Sequence, residues 1–178
     1  WNGNDLNSGL ITTFSEYSVV SENRVTSIDK LTDLDIAALY GCAVSTGFGV
    51  IENNAKIRAG ESLVVFGAGG IGLNMVQAAS LVSAYPIIAI DLFDNRLELA
   101  KSLGATHTVD SQKQNAEEEI TKILKGGNGL DVFIDNTGQP KIIELGYVLL
   151  NKKGRLVLVG VPKHSNNINI QSFIEGIP

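Results

Sequence analysis

The chain has 178 residues, of which 44% are hydrophobic and 19% are charged, as in an ordinary globular protein. This length allows one domain with a sizeable core and falls short of two full domains. The formal net charge of −5 argues against nucleic-acid binding and against an anionic membrane surface, since both favour basic patches.

The polar start and the single cysteine indicate the compartment. Residues 1–5 are polar and no apolar run approaches the roughly 18 residues of a membrane span, so we expect neither a signal peptide nor a membrane segment. An initial Met is absent, and we expect a piece of a longer protein. One cysteine, Cys42, excludes an internal disulfide, and a reducing cytoplasm is the expected location.

The N-terminal part of the chain lacks an alternating strand–helix pattern. Residues 11–20 are rich in β-branched and aromatic side chains, which predicts one or two strands belonging to the remnant of another domain over residues 1–31. Thr32 and Asp33 predict the start of a helix. Residues 41–50 are small and apolar, and they predict a second helix that is entered by a turn and packs closely on a neighbour.

From residue 63 onward, predicted strands and helices alternate. Strands are predicted at 63–66, 86–90, 106–109, 131–135 and 155–159, with a further edge strand at 168–170. Helices are predicted at 73–82, after residue 91, at 116–125 and at 141–150. This alternation predicts an α/β fold with a doubly wound parallel sheet of the Rossmann type over residues 32–178.

The first of these strands runs into a G-x-G-x-x-G motif that begins at Gly67. Gly67 allows a tight turn, Gly69 lets a pyrophosphate approach the backbone, and Gly72 lets the next helix pack against the strand. The N-terminus of that helix favours phosphate through its N–H groups and its dipole. The motif therefore predicts a dinucleotide site, with a glycine-rich turn that binds nothing as the alternative.

Asp91 ends the second strand and lies 24 residues after Gly67 (91 − 67), near the spacing of about 20 that the dinucleotide motif expects. Its carboxylate can accept hydrogen bonds from the hydroxyls of the adenosine ribose, and it would repel the 2′-phosphate of NADP. The sequence therefore predicts NAD as the cofactor. The alternative is a strand-end Asp that caps the next helix.

Several motifs together carry a family likeness. The pattern G-C-x-x-S-T-G-x-G at 41–49, the glycine motif, the pair Ile90-Asp91 and the pattern A-K-x-L-G-A-T at 100–106 resemble the zinc-dependent medium-chain alcohol dehydrogenases. Residues 13–20 resemble the end of that family's catalytic domain, which is GroES-like. The likeness runs from about Thr12 to Val161 and implies the NAD-binding domain of a longer enzyme, with two further zinc ligands and a structural zinc lobe upstream.

The resemblance also implies roles for residues outside the glycine motif. Cys42 matches the family's zinc-ligand cysteine, although a lone cysteine in an apolar segment is more often a small buried hydrophobe. Thr46 matches a residue beside the nicotinamide, and Ile71 would pack on the back of that ring. Val159 and Val161 match the segment whose backbone holds the carboxamide.

At the adenosine end, Arg96 matches a basic family residue, and an Arg there could instead favour the 2′-phosphate of NADP. Leu92 and Phe93 would flank the adenine, and residues 136–138 lie at the same rim, with ordinary loop geometry as the alternative. The predicted cofactor site comprises Thr46, Gly67, Gly69, Gly70, Ile71, Gly72, Asp91, Arg96, Thr137, Val159 and Val161, with Cys42 as the predicted metal ligand.

The predicted function is hydride transfer between an alcohol or aldehyde and NAD in a complete zinc enzyme, with this chain alone inactive. The alternatives are a zinc-free NADPH-dependent quinone oxidoreductase or enoyl reductase, and a non-catalytic nucleotide-sensing module. No nucleic-acid or membrane partner is expected. A homodimer is predicted through the edge strand at 168–170, because two such edges can satisfy each other's backbone groups across a two-fold axis.

Overall fold

The computed structural model describes residues 16–125 and 129–162. The chain divides into two compact units, Trp1–Ala37 and Ala38–Pro178. In the described part of the first unit, a 3₁₀ turn forms at Glu22–Arg24. Residues 16–20 form no strand, so the strand predicted for 11–20 is wrong there, and residues 11–15 lie outside the described part.

A helical stretch follows, and it begins where the sequence predicts. The N–H of Asp35 donates to Asp33 Oδ1 at 2.9 Å, so Asp33 caps the helix as expected. The turn predicted before residues 41–50 is wrong, because the helix passes Gly41 without a break. The stretch consists of α1 (Leu34–Leu39), a π-helical segment (Tyr40–Val44), α2 (Ser45–Gly49) and a second π-helical segment (Val50–Ala55).

Among the described residues, this stretch alone has the length and composition to cross a membrane, with 22 residues and a mean hydropathy of 1.6. The sequence-based expectation that no apolar run reaches such a length is therefore wrong. One such helix is weak evidence for a membrane span, because a core helix of a soluble protein meets the same criteria. Its second half enters the domain core, where Ile51 and Ala55 are buried and a Cβ on Gly47 would lie 2.5 Å from Asn74 Cβ.

Five parallel strands form one sheet in the order β3-β2-β1-β4-β5. They are β1 (Leu63–Phe66), β2 (Ile87–Asp91), β3 (His107–Asp110), β4 (Leu130–Asp135) and β5 (Leu150–Leu158). The predicted parallel α/β sheet is confirmed. β5 begins earlier than predicted, because Leu150 already pairs with Leu130 before a bulge. The edge strand predicted at 168–170 lies outside the described residues.

Helices cover both faces of this sheet. They are α3 (Gly70–Leu81), α4 (Asp94–Ser102), α5 (Ala116–Leu124) and α6 (Pro140–Leu149). On one face, Val65 packs in a cluster with Met75 of α3. On the other face, Phe66 and Phe133 pack with Ile120 of α5. Because both faces are covered, the central strands β1, β2 and β4 are buried and largely apolar at successive positions rather than alternating.

A polar network joins the amino ends of β1, β4 and β5. Asp131 Oδ2 accepts hydrogen bonds from the N–H and the hydroxyl of Ser62, both at 2.8 Å, and Asp131 Oδ1 accepts from Asn151 Nδ2 at 2.6 Å. Burial would raise the pKa of Asp131, but these hydrogen bonds outweigh it and hold the pKa below its ordinary value. The stabilisation that this carboxylate gives is therefore present at neutral pH and is lost as the pH falls through the folded-state pKa.

Candidate cofactor site

A cleft of about 430 Å³ lies at the carboxyl ends of the central strands. Ligands of open α/β sheets bind at this edge, beside the point where the strand order reverses. In this sheet, the reversal lies between β1 and β4. The lining of this cofactor cleft includes the predicted site residues Gly67, Gly69, Asp91, Arg96 and Thr137, together with Leu92, Phe93 and Asn136.

The glycine loop, residues 67–72, leaves its backbone open to the cleft. Gly67 has a φ of +100°, a backbone conformation that residues other than glycine rarely adopt. A Cβ on Gly69 would have no atom within 4 Å, so the space beside this backbone is free. The first turn of α3 follows at once, and its N–H groups and positive dipole end favour an anion. The loop therefore fits a pyrophosphate.

Gly72 has the opposite environment, because a Cβ there would lie 2.0 Å from the carbonyl oxygen of Gly67. Its role is the close packing of α3 on the end of β1, as the motif predicts. Gly70 and Ile71 lie in the first turn of α3, and Ile71 packs against the apolar cluster on that face of the sheet.

Asp91 is the last residue of β2, and only 6% of it is exposed. Its Oδ2 accepts the N–H of Ala68 in the glycine loop at 2.8 Å. Its Oδ1 accepts the N–H groups of Leu92 and Phe93 at 2.8 and 3.1 Å. A carboxylate has about four acceptor positions, so about one of them is left for a ribose hydroxyl. Asp91 thus combines the predicted position in the cleft with a turn-forming role at the start of α4.

Arg96 lies beside this carboxylate at the β2 end of the cleft. Its Nη1 is 3.5 Å from Asp91 Oδ2, and its Cζ is 4.8 Å from the centroid of the Phe93 ring. Its side chain is 45% exposed. A positive group of this kind next to the acid offers a partner to a phosphate on the ribose as well as a support for Asp91.

Ion pairs also join the two segments that follow β2 and β3, next to the cleft. Lys113 Nζ lies 2.7 Å from Asp110 Oδ2 and 2.8 Å from Asp94 Oδ2, which joins the turn after β3 to the N-terminus of α4. The hydrogen bond from Lys113 lowers the pKa of Asp110, and the carboxylates of Asp110 and Asp94 raise the pKa of Lys113. Ser111, which directly follows Asp110, lines the cleft and donates its N–H to the carbonyl oxygen of Asp91 at 3.1 Å.

The other predicted residues do not line the cleft. Thr46 is half-buried in α2, and Val159 and Val161 lie in the segment that leaves β5. Their contacts with a cofactor stay predictions. The cleft also has lining residues that the sequence motifs do not single out: Phe66, Ile90, Ser111, Gln139 and Ile142. Ser111 and Gln139 could have been found from their positions just after β3 and just before α6, whereas the three apolar residues are typical of a core.

Cys42 lies in the first π-helical segment, is exposed, and forms no disulfide. In residues 16–125 and 129–162, no three His, Cys, Asp or Glu side chains come together as a metal site. Catalytic zinc takes three protein ligands and an open position. The described residues therefore do not fit zinc by themselves, and a ligand role for Cys42 stays a prediction for a longer protein.

Comparison with known proteins gives matches along most of the chain. The family model for zinc-binding dehydrogenases matches residues 70–176. S-(hydroxymethyl)glutathione dehydrogenase of Saccharomyces cerevisiae is 35% identical over 165 residues, covering 90% of this chain and 43% of the relative. Alcohol dehydrogenase 6 of Peromyscus maniculatus is 34% identical, with 91% of this chain and 44% of the relative covered.

The solved structures agree with these relatives. Benzyl alcohol dehydrogenase from Acinetobacter calcoaceticus superposes with a TM-score of 0.83 at 32% identity, covering 93% of this chain and 46% of that chain. The chain thus spans less than half the length of the relatives that it matches. The fold, the open glycine loop and these matches together show that the chain belongs to the zinc-binding dehydrogenase family, within the zinc-dependent medium-chain alcohol dehydrogenases.

Proposed function

We propose that the chain is the NAD-binding domain of a zinc-dependent alcohol dehydrogenase, in which a hydride passes between an alcohol or aldehyde and NAD. The observation that carries the proposal is the position of Asp91, which lines the cleft at the end of β2 while its Oδ2 accepts the N–H of Ala68 in the glycine loop. NAD supplies the hydride-accepting ring when bound. The residues of this chain bind and orient the dinucleotide.

The cleft gives the dinucleotide a direction. At the β2 end, Asp91 would accept from the adenosine ribose, and Leu92 and Phe93 would flank the base. The glycine loop and the N-terminus of α3 would hold the pyrophosphate. Thr137 at the end of β4, with the predicted contacts Thr46, Ile71, Val159 and Val161, would hold the nicotinamide half.

A zinc-free NADPH-dependent reductase is the second candidate, and Arg96 is the observation that favours it. Its side chain is 45% exposed and its Nη1 lies 3.5 Å from Asp91 Oδ2, so it could pair with a 2′-phosphate on a ribose bound beside Asp91. Asp91 opposes this candidate, because a carboxylate beside that phosphate repels it. A nucleotide sensor without catalysis is distinguished by assaying the complete enzyme with an alcohol and NAD, where turnover identifies an enzyme.

We expect the chain to bind NADH at least about tenfold more tightly than NADPH, which corresponds to about 1.4 kcal/mol of binding free energy. The physical reason is the repulsion between Asp91 and the 2′-phosphate. Fluorescence titrations of both cofactors, at one ionic strength because the phosphate interaction is screened by salt, measure the ratio. Equal or tighter binding of NADPH contradicts the role given to Asp91.

We expect the chain to purify without stoichiometric zinc and to oxidise no alcohol while still binding NAD, because residues 16–125 and 129–162 bring no two further ligands to Cys42. Replacing Cys42 by serine should leave the NADH dissociation constant of this chain within about twofold, since affinity comes mainly from the glycine loop and the adenosine end. Metal analysis and NADH titration check both points. One zinc per chain that is lost in Cys42→Ser contradicts this expectation.

We also propose four further properties of the protein. They are the catalytic-domain remnant at residues 1–31, the cytoplasmic location, the absence of nucleic-acid and membrane partners, and the homodimer through residues 168–170. They rest on composition, charge and the family likeness given above.

A further inference from the structure

Asp135, the last residue of β4, carries a carboxyl group that the proposed cofactor contacts do not use. The residue is 0% exposed. Its Oδ1 accepts hydrogen bonds from the N–H and the hydroxyl of Thr137 at 2.9 and 2.6 Å, and its Oδ2 accepts the N–H of Gly138 at 2.9 Å. All three donors belong to the loop that follows β4. The side chain of Asp135 therefore fixes the path of that loop.

The backbone of Asp135 also holds the loop that follows β5. Its carbonyl oxygen accepts the N–H groups of Val159 and Gly160 at 2.8 and 3.0 Å. The two loops are in close contact, because a Cβ on Gly160 would lie 2.2 Å from the backbone nitrogen of Gly138. One buried residue thus holds the loop that follows β4, which lines the cleft, and the loop that follows β5 against each other.

The next residue extends this arrangement to the glycine loop. Asn136 Nδ2 donates to the carbonyl oxygen of Gly67 at 3.1 Å. Asn136 and Thr137 line the cleft, so the segment supported by Asp135 forms part of its wall. The adenosine end has a separate support in Asp91, which lies on β2 and accepts from Ala68, Leu92 and Phe93.

We infer that Asp135 is a positioning residue for the nicotinamide half of the dinucleotide, acting through the loops that follow β4 and β5. The inference rests on the dinucleotide binding proposed above. Replacing Asp135 by asparagine changes one acceptor oxygen into an NH₂ donor of nearly the same size. At least one of the three donors then faces another donor, and a buried donor without an acceptor shifts its loop to find one.

The test is a comparison of two ligands on the chain carrying Asp135→Asn. NADH reaches both halves of the cleft, whereas ADP occupies the adenosine and pyrophosphate sites alone. We expect the NADH dissociation constant to rise about tenfold, the size of effect that one unsatisfied buried donor produces, and the ADP dissociation constant to stay within about twofold. NADH is measured by fluorescence and ADP by calorimetry.

Asp131→Asn is the matched control, since Asp131 lies on the same strand and also accepts three hydrogen bonds, but at the opposite end of the sheet. Both variants are expected to lower the melting temperature, whereas Asp131→Asn should leave both dissociation constants unchanged. The same selective loss of NADH affinity in Asp131→Asn overturns the inference.

Thr137→Val provides a milder variant should Asp135→Asn fail to fold. It keeps the size of the side chain and removes the hydroxyl that donates to Asp135, and Thr137→Ser retains that hydroxyl. We expect Thr137→Val to weaken NADH binding about threefold more than Thr137→Ser does, and the ADP dissociation constant to be the same in both variants.

Equal weakening of NADH and ADP in the folded Asp135→Asn chain, or no weakening of NADH, overturns the inference and leaves the proposed function standing. If Asp135→Asn does not fold, equal NADH affinities of Thr137→Val and Thr137→Ser overturn it. A wild-type chain that binds neither NADH nor ADP overturns the proposed function and this inference together.

Discussion

Replacing Gly72 by alanine should lower the free energy of unfolding by about 3 kcal/mol and the melting temperature by roughly 10 °C. The added Cβ would lie 2.0 Å from the carbonyl oxygen of Gly67, far inside van der Waals contact. The obstacle is backbone rather than a flexible side chain, so α3 must move away from β1. Thermal and denaturant unfolding of the two chains measure the loss.

Gly69→Ala is the matched control for this substitution, because it adds the same methyl group two residues earlier in the same loop. A Cβ on Gly69 has no atom within 4 Å, and its φ of −75° suits alanine, so stability should be unchanged. The methyl group would occupy the approach to the backbone, and NADH affinity should fall at least about tenfold. Equal stability of Gly72→Ala and wild type, or unchanged NADH affinity of Gly69→Ala, contradicts the roles given to the two glycines.

Replacing Asp91 by asparagine should reduce both NADH affinity and stability. The amide oxygen can still accept from Leu92 and Phe93, but the NH₂ group then faces the N–H of Ala68, which loses its acceptor. We expect NADH to bind at least about tenfold more weakly, NADPH to change little, and unfolding to require about 2 kcal/mol less. Titration of both cofactors and thermal unfolding give the three quantities.

Asp94→Asn separates the ribose contact from a general change of charge. Asp94 lies at the start of α4, its side chain is 68% exposed, and it pairs with Lys113 instead of the glycine loop. The substitution removes the same charge from the same end of the cleft, yet the ratio of NADH to NADPH affinity should stay within about twofold. A similar change of this ratio in both variants would show that net charge, and not the contact made by Asp91, sets cofactor preference.

Local sequence patterns predict the sheet well, because its central strands β1, β2 and β4 are largely apolar runs bounded by turns. These patterns fail where contacts between distant parts of the chain determine the bounds of a strand or helix. Residues 152–154, Lys-Lys-Gly, are typical of a turn, but β5 already includes them because Leu150 pairs with Leu130 on the neighbouring strand. Gly41 likewise suggests a break, and the helix continues through it since a glycine in a helix costs only about 1 kcal/mol.

The cleft could be predicted in outline, since the glycine spacing and the acid at the end of β2 pick out Gly67, Gly69 and Asp91, which line it. The full set of hydrogen bonds around the cleft could not be predicted from the sequence. The hydrogen bonds of Asp91 to Leu92 and Phe93 are local, as a strand-end Asp that caps the next helix would make. The bond from Ala68 to Asp91, and those from Val159 and Gly160 to the carbonyl of Asp135, join residues far apart in the chain, and no local pattern shows them. Ser111 and Gln139, in contrast, could have been found as lining residues from their positions just after β3 and just before α6.

The central place of β1 has a consequence for synthesis of the protein. β1 pairs with β2, which follows soon after it, and with β4, whose Asp131 is 69 residues beyond Ser62. During translation, one edge of β1 therefore waits without its neighbour until Leu130–Asp135 has left the ribosome. An unpaired apolar edge of this kind is a template for pairing with other chains. A nascent or prematurely ended chain that stops before β4 should be the form that aggregates and that chaperones bind.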